Sequence, residues 1–329
     1  MSFLPDSARL DELYLPGTHE SLALHFPLLG SMCQSSTLTT QLNGGIRFLD
    51  LRFSLLRSRP LRFTGRTREL ESAWELWAYH GPLPQLRRAE DVFEEVYAWL
   101  KSEQGRRETV VVSCKQENAT PSSVFASTLW ALLDRRQEFW YDKERWPSLG
   151  EVRGKCVMFC RFGFDSGLHP PIWPNDSSAA WKTEIGRKEV VVQDWYGLPS
   201  VFAVPQKASL ALSLFDPSSP ALLALSSSPS SSEPSIPPRI NFLSSASFPL
   251  APPSLCAKGF GWPRWRLGFY GVNALFHAGL RRAQGQAEKT GEERRGMRYE
   301  EGQGGMVVML DFWEEPRELV PSIVSLNFP

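Results

Sequence analysis

Two histidines, His19 in "LPGTHES" and His80 in "AYHGPL", sit where an apolar run gives way to a turn. Each has a carboxylate to draw on: Glu20 follows the first, and Asp311 ends the late run "VVMLD". Arg52 closes the run "FLDLR", with Asp50 two positions before it. An imidazole can take up a proton near neutral pH and a second can return one. A guanidinium offers forked donors to a phosphoryl group that is gathering negative charge. Two imidazoles with carboxylate partners around one guanidinium therefore suit acid–base cleavage of a phosphodiester. Other apolar runs end in the same manner, with Lys115 and Glu117 in "SCKQE", Arg161 in "CRF", and Asp194 and Tyr196 in "QDWY".

For these groups to meet, the runs that carry them must be strands ending at one face. Eight segments read as buried strands: 12–17, 45–53, 75–81, 108–117, 155–162, 189–196, 239–245 and 306–313. The first is expected to stop at Pro16-Gly17. Between several of them lie helical patterns, such as "AEDVFEEVYAWLKSEQ", which places Val92, Phe93, Val96 and Leu100 on one face. Near-continuous apolar strands alternating with helices imply a parallel sheet covered on its outer side, and eight strands suit closure into a (β/α)8 TIM barrel, here a somewhat irregular one. Reactive groups in such a barrel belong at the C-terminal ends of the strands. Closure places the eighth strand beside the first, so Asp311 can approach His19, while Glu20 and Arg52 can approach His80.

Composition narrows the alternatives. The 329 residues hold 36 Lys plus Arg and 36 Asp plus Glu, so no global field attracts nucleic acid. No apolar run reaches the roughly 20 residues that span a bilayer, and the N-terminal stretch lacks the pattern of a signal peptide. The five cysteines are scattered, which argues against a disulfide framework. Cys156 and Cys160, four apart on one strand, stand roughly 13 Å from each other and read as core residues. A reduced, cytoplasmic monomer is the expectation. Residues 1–329 read as one domain with two excursions, a Ser/Pro-rich insertion at 206–238 and a polar loop at 284–305. His25, His169 and His277 are expected to be packing or surface residues. The stretch "FGWPRWRLGFY" (260–270) admits two readings, a lip touching a membrane or loop packing, and packing is preferred.

"LPGTHES", then "GIRFLDLR", then "YHGPL" together resemble the X region of phosphatidylinositol-specific phospholipase C in its bacterial, single-domain form. "SCKQE", "CRF", "VVQDWY", "INFLSS" and "MVVMLDFW" follow in that family's order, so the resemblance runs from about residue 10 to about residue 315. It implies that His19 is the general base drawing the proton from an inositol 2-hydroxyl, which attacks the adjacent phosphorus to give a cyclic inositol phosphate and diacylglycerol. It implies that His80 is the general acid and that Asp311 fixes the tautomer of His19. Arg52 would stabilise the phosphoryl oxygens, with Asp50 as a buttress or a participant. Lys115, Arg161, Asp194 and Tyr196 would meet the inositol headgroup.

The family usually has Asp after the first histidine, and here it is Glu20, which leaves the support of His80 open. The calcium-dependent relatives carry Asn there and acidic residues along the second strand, where this chain has Arg52. A guanidinium amid oxygen ligands opposes a hard cation, so catalysis without metal or other cofactor is the expectation. The expected partners are a phosphatidylinositol-type lipid and, transiently, the membrane surface that holds it. A rival reading is a catalytically weak barrel that binds phosphoinositide headgroups or a partner protein.

Overall fold

Alternate residues of a strand face opposite ways, and in this chain both faces are apolar, so every stave must be covered twice. The computed structural model describes residues 1–24, 29–57, 74–163, 166–216, 219, 222, 236–290 and 299–328. Its strands are β1 (Tyr14–Thr18), β2 (Phe48–Arg57), β3 (Trp74–His80), β4 (Leu83–Arg88), β5 (Thr109–Gln116), β6 (Trp140–Tyr141) and β7 (Lys155–Arg161). They continue as β8 (Trp181–Ile185), β9 (Lys188–Gln193), β10 (Arg239–Phe242), β11 (Gly259–Trp262), β12 (Leu267–Tyr270) and β13 (Met306–Leu310).

Eight of these run parallel, in the order β6-β7-β5-β2-β1-β13-β10-β9, β6 being only two residues long. One parity of each stave fills the barrel interior, including Leu15, Phe48, Val111, Phe159, Val192, Ile240 and Met309. The other parity, including Leu49, Val112, Met158, Val191 and Val308, packs under the surrounding helices. The helix Ala89–Lys101 buries Val92, Phe93, Val96 and Leu100 there, as its spacing predicts. Each such side chain contributes roughly 1.5–3 kcal/mol by leaving water. Cys156 and Cys160 belong to this outer layer as core residues.

The expected α/β barrel is thus present, and its irregularity lies at two places. The third run, 75–81, is not a parallel stave. β3 pairs antiparallel with β2 in the register Phe53↔Ala78, and β4 pairs antiparallel with β3. Apolar alternation does not encode the direction of a partner, which is why the sequence misassigns it. The second irregularity is the interval between β7 and β9, which do not pair with each other among the described residues. Into this interval β6 pairs parallel with β7 and β8 turns back antiparallel on β9, and the Trp146 indole donates to the Ile185 carbonyl at 2.9 Å.

Parts of the two expected excursions are helical. Residues 206–213 belong to the helix Val204–Ser213, and 284–290 continue the helix Val272–Thr290, where Ala287, Glu288 and Lys289 are strong helix formers. Residues 217–218, 220–221, 223–235 and 291–298 lie outside the described residues, as do residues 58–73 and His25. No described helix is long and apolar enough to cross a membrane.

The first strand does not stop at Pro16-Gly17 but runs through both to Thr18. Gly17 is there because neighbours crowd it: an added Cβ would meet Met309 Sδ at 2.5 Å and Phe48 Cβ at 2.9 Å. Gly17→Ala is expected to push β1 from its neighbours two residues before His19, lowering stability by about 1–3 kcal/mol. A fall in the denaturant midpoint with an unchanged m-value would show it; a wild-type midpoint would contradict it.

Candidate active site

Strand parity selects the polar residues that share the barrel mouth. His19 continues the inward series of Leu15 and Gly17, and Asp50 and Arg52 that of Phe48. Lys115 continues Val111 and Ser113, Arg161 continues Phe159, Asp194 continues Val192, and Asp311 continues Met309. All but the nearly buried Asp50 line one cavity of about 970 Å³, which His80 and Tyr196 also line. Every one lies at the C-terminal end of its stave, the functional end of such barrels.

His19 Nδ1 faces Asp311 Oδ1 at 2.9 Å. The Gln34 amide donates to the carbonyls of His19 and Leu310 at 2.7 and 2.8 Å, locking the ends of β1 and β13 together. Asn273 donates to the Asp311 carbonyl at 2.9 Å. Burial disfavours a charged imidazole, but the charge and hydrogen bond of Asp311 outweigh it, so the His19 pKa stands above the ordinary histidine value. A base must be neutral to accept a proton, so activity should rise with pH through that raised pKa. Asp311→Asn removes the main raising interaction, and the acidic limb of kcat/KM is expected to move to lower pH as the plateau falls. A pH–rate profile whose acidic limb stays in place would contradict this.

Arg52 is the hub of the mouth. Its Nε and Nη2 reach Asp50 Oδ2 at 3.0 and 2.9 Å, and its Nη1 reaches Glu20 at 2.6 Å and Glu117 at 3.2 Å. A guanidinium has five N–H donors. The Asp50 and Glu117 contacts are hydrogen bonds and the Glu20 contact is an ion pair, so the donors are not all taken. Asp50 is held well below the usual carboxylate range: burial opposes this, and the Arg52 and Arg161 charges overcome it. Its two-point grip makes Asp50 a buttress for Arg52.

His80 reaches the mouth from an unexpected direction. β2 overruns the rim and β3 descends beside it, so His80, two residues past Ala78, returns just past the level of Arg52. Its Nδ1 lies 3.0 Å from the Ser31 carbonyl, which fixes that nitrogen as donor and turns Nε2 to the cavity side. Glu20 stands 3.9 Å from Nε2, too far for a hydrogen bond, and its ion pair with Arg52 is much shorter. Glu20 therefore serves the guanidinium first.

Arg161 and Asp194 are joined through a residue that sequence reading missed. The Arg161 guanidinium lies 4.0 Å over the Trp173 ring, and the Trp173 indole donates to Asp194 at 2.9 Å. Tyr196 donates to Asn175 at 2.7 Å with its ring partly exposed. Lys115 pairs with Glu117 at 2.9 Å. Trp173 and Asn175 come from "HPPIWPN", a loop between strands; an indole and an amide among prolines is a weak signal, and it was the only one available. His169 from the same loop lines the cavity, and the loop is tied to β7 by the Phe159↔Leu168 bridge. His277 is buried against Ser322, as expected of a packing residue. Lys207 was also missed. It is fully buried, donates to Gln193 and the Trp195 carbonyl at 2.8 and 2.6 Å, and burial pushes its pKa down to about 7.

The stretch 260–270 departs from the packing preferred for it. β11 and β12 form an antiparallel hairpin on which Phe260, Trp262, Trp265 and Leu267 are each at least 64% exposed. It belongs to the connection after β10, hence to the mouth side, where Phe248 also stands exposed.

An α/β barrel whose mouth holds two histidines, a carboxylate-caged arginine and a second arginine on an indole is the frame in which comparisons with known proteins fall. No family model matches the chain. It is similar to a 1-phosphatidylinositol phosphodiesterase of Listeria monocytogenes, 26% identical over 213 residues, 61% of this chain and 58% of that protein. The matched stretch therefore spans little more than half of that relative's length. In structure the chain resembles the phosphatidylinositol-specific phospholipase C of Listeria monocytogenes, with a TM-score of 0.63 at 20% identity, covering 100% of this chain and 98% of the other. A phosphatidylinositol-specific phospholipase C of Staphylococcus aureus gives 0.66 at 20% identity, covering 100% and 96%. The chain has the barrel fold of these bacterial proteins.

Proposed function

We propose that the chain cleaves phosphatidylinositol-type lipids by attack of the inositol 2-hydroxyl on its own phosphodiester. The observation that carries this is one cavity lined by His19, paired with a buried carboxylate, by His80, and by Arg52 between ion-pair partners. Asp311 engages His19 Nδ1, so Nε2 is the nitrogen that accepts the 2-hydroxyl proton. The oxygen so released bonds to phosphorus as the glycerol oxygen leaves, and His80 Nε2 supplies the proton that makes this oxygen an alcohol. Charge developing on the phosphoryl oxygens meets Arg52, with Lys115 nearby. The products are diacylglycerol and a cyclic inositol phosphate; its slower hydrolysis uses the same histidines with roles exchanged.

Arg161, Asp194 and Tyr196 form the wall suited to inositol hydroxyls, since a buried donor or acceptor left unmatched by the wrong headgroup is costly. The exposed hairpin beside the mouth is the element suited to touch a membrane. Trp262 and Trp265 favour the interface, and Arg264 and Arg266 can reach lipid phosphates. No step requires a metal ion. Product analysis on phosphatidylinositol vesicles in the presence of chelator is expected to yield cyclic inositol phosphate. Absence of that product, or turnover of phosphatidylcholine, which lacks a neighbouring hydroxyl, would overturn the mechanism.

A further inference from the structure

Cys33 stands between the two histidines and has no part in the chemistry above. Its Sγ is 3.9 Å from His80 Nδ1, and one donor atom each from His19, Cys33 and Asp311 lies within 4.8 Å of the others. All three line the cavity. Asp311 is 1% exposed, and its buried Oδ2 has no hydrogen-bond partner among the described residues beyond the weak donor of the Cys33 thiol. A buried carboxylate oxygen left in this way is costly unless something positive completes it.

We propose that His19, Cys33 and Asp311 form a site for a thiophilic divalent cation of the zinc class, and that its occupancy arrests the enzyme. Imidazole, thiolate and carboxylate are a zinc donor set, and three protein ligands with the fourth position open to the cavity is a familiar zinc arrangement. Zinc holds nitrogen and oxygen at about 2.0–2.1 Å and sulfur at about 2.3 Å, which keeps ligand atoms roughly 4 Å apart at most. The triangle therefore closes by about 1 Å, within reach of side-chain rotation. Zinc binds as the thiol releases its proton to solvent. Sulfur and imidazole select it over calcium or magnesium, which need several oxygen ligands. Of the charges facing the site, Asp311 and Glu20 attract the cation and Arg52 opposes it, while Arg52 itself is engaged by three carboxylates.

Arrest follows from which groups are taken. A metal on the cavity-facing nitrogen of His19 removes the lone pair that accepts the substrate proton. A metal on the other nitrogen displaces the Asp311 hydrogen bond that orients the ring. This inhibition rests on the reaction proposed above, but the binding does not.

The test titrates the metal-free full chain with cobalt(II) as a spectroscopic stand-in, then displaces it with zinc. One equivalent should bind with a near-ultraviolet thiolate-to-cobalt charge-transfer band that zinc abolishes. Cys33→Ser should lose the band and bind zinc about 100-fold more weakly or worse. In wild-type enzyme zinc should suppress phosphodiester cleavage, and chelator should restore it. The cobalt spectrum is read on wild-type protein, so a poorly folding variant does not decide the matter. Cobalt bound without the band, no stoichiometric binding, or wild-type zinc affinity in a folded Cys33→Ser protein would each overturn the site. The band together with uninhibited cleavage would overturn the arrest while leaving the site. Binding with no cleavage under any condition would overturn the proposed reaction and, with it, the arrest.

Discussion

His19→Ala is expected to slow phosphatidylinositol cleavage by about 10²- to 10⁴-fold, the usual worth of a positioned acid or base, while headgroup binding changes little. His80→Ala should cost a similar factor, and the leaving group separates the two roles. A substrate whose departing oxygen needs no protonation should recover most of its rate in His80→Ala and none in His19→Ala. The geometry behind this is specific. The Asp311 contact leaves His19 one free nitrogen for the substrate, and the Ser31 carbonyl does the same for His80. A barrel that only binds headgroups has no turnover to lose, so unchanged rates in both variants would favour that rival.

Arg52→Ala should have the second large effect, and it should be seen in two measurements. Loss of a donor to the developing phosphoryl charge is expected to lower kcat by about 10²- to 10³-fold. The same change strands Asp50 and Glu20, which are 1% and 2% exposed, without the cation that balances them. Breaking a buried ion pair from one side costs about 3–5 kcal/mol, so the denaturant midpoint should fall sharply as well. Arg52→Lys keeps the charge but cannot hold Asp50 through two nitrogens while reaching Glu20 and Glu117, so partial recovery of stability should exceed recovery of rate. A variant that keeps wild-type kcat would remove Arg52 from the chemistry. One that keeps wild-type stability would show that water reaches the carboxylates freely.

Zinc inhibition and the histidine variants bear on each other. If cation binding holds His19 and Cys33, then His19→Ala should weaken zinc binding as well as turnover, whereas His80→Ala should spare the cation. Catalysis and metal capture therefore divide the two imidazoles differently.

What the sequence determined by itself was the set of inward-facing polar residues. A strand has period two, so once Phe48 or Val192 is known to face the interior, Arg52 and Asp194 must face it too. Parallel staves that close on themselves put Asp311 beside His19, and this was legible from strand count alone. The third run was misread because apolar alternation is the same in a parallel stave and an antiparallel hairpin. His80 still reaches the site, since β2 overruns the rim and the chain returns beside it. Only tertiary structure could bring Cys33 and Trp173 to the mouth, because loops carry no period from which a side chain's direction can be read. The exchange of Glu20 from His80 to Arg52 was also decided in three dimensions, where a guanidinium at 2.6 Å prevails over an imidazole at 3.9 Å. Direction along a strand is written in residue spacing; proximity between distant loops is set only when the barrel closes and its excluded water leaves.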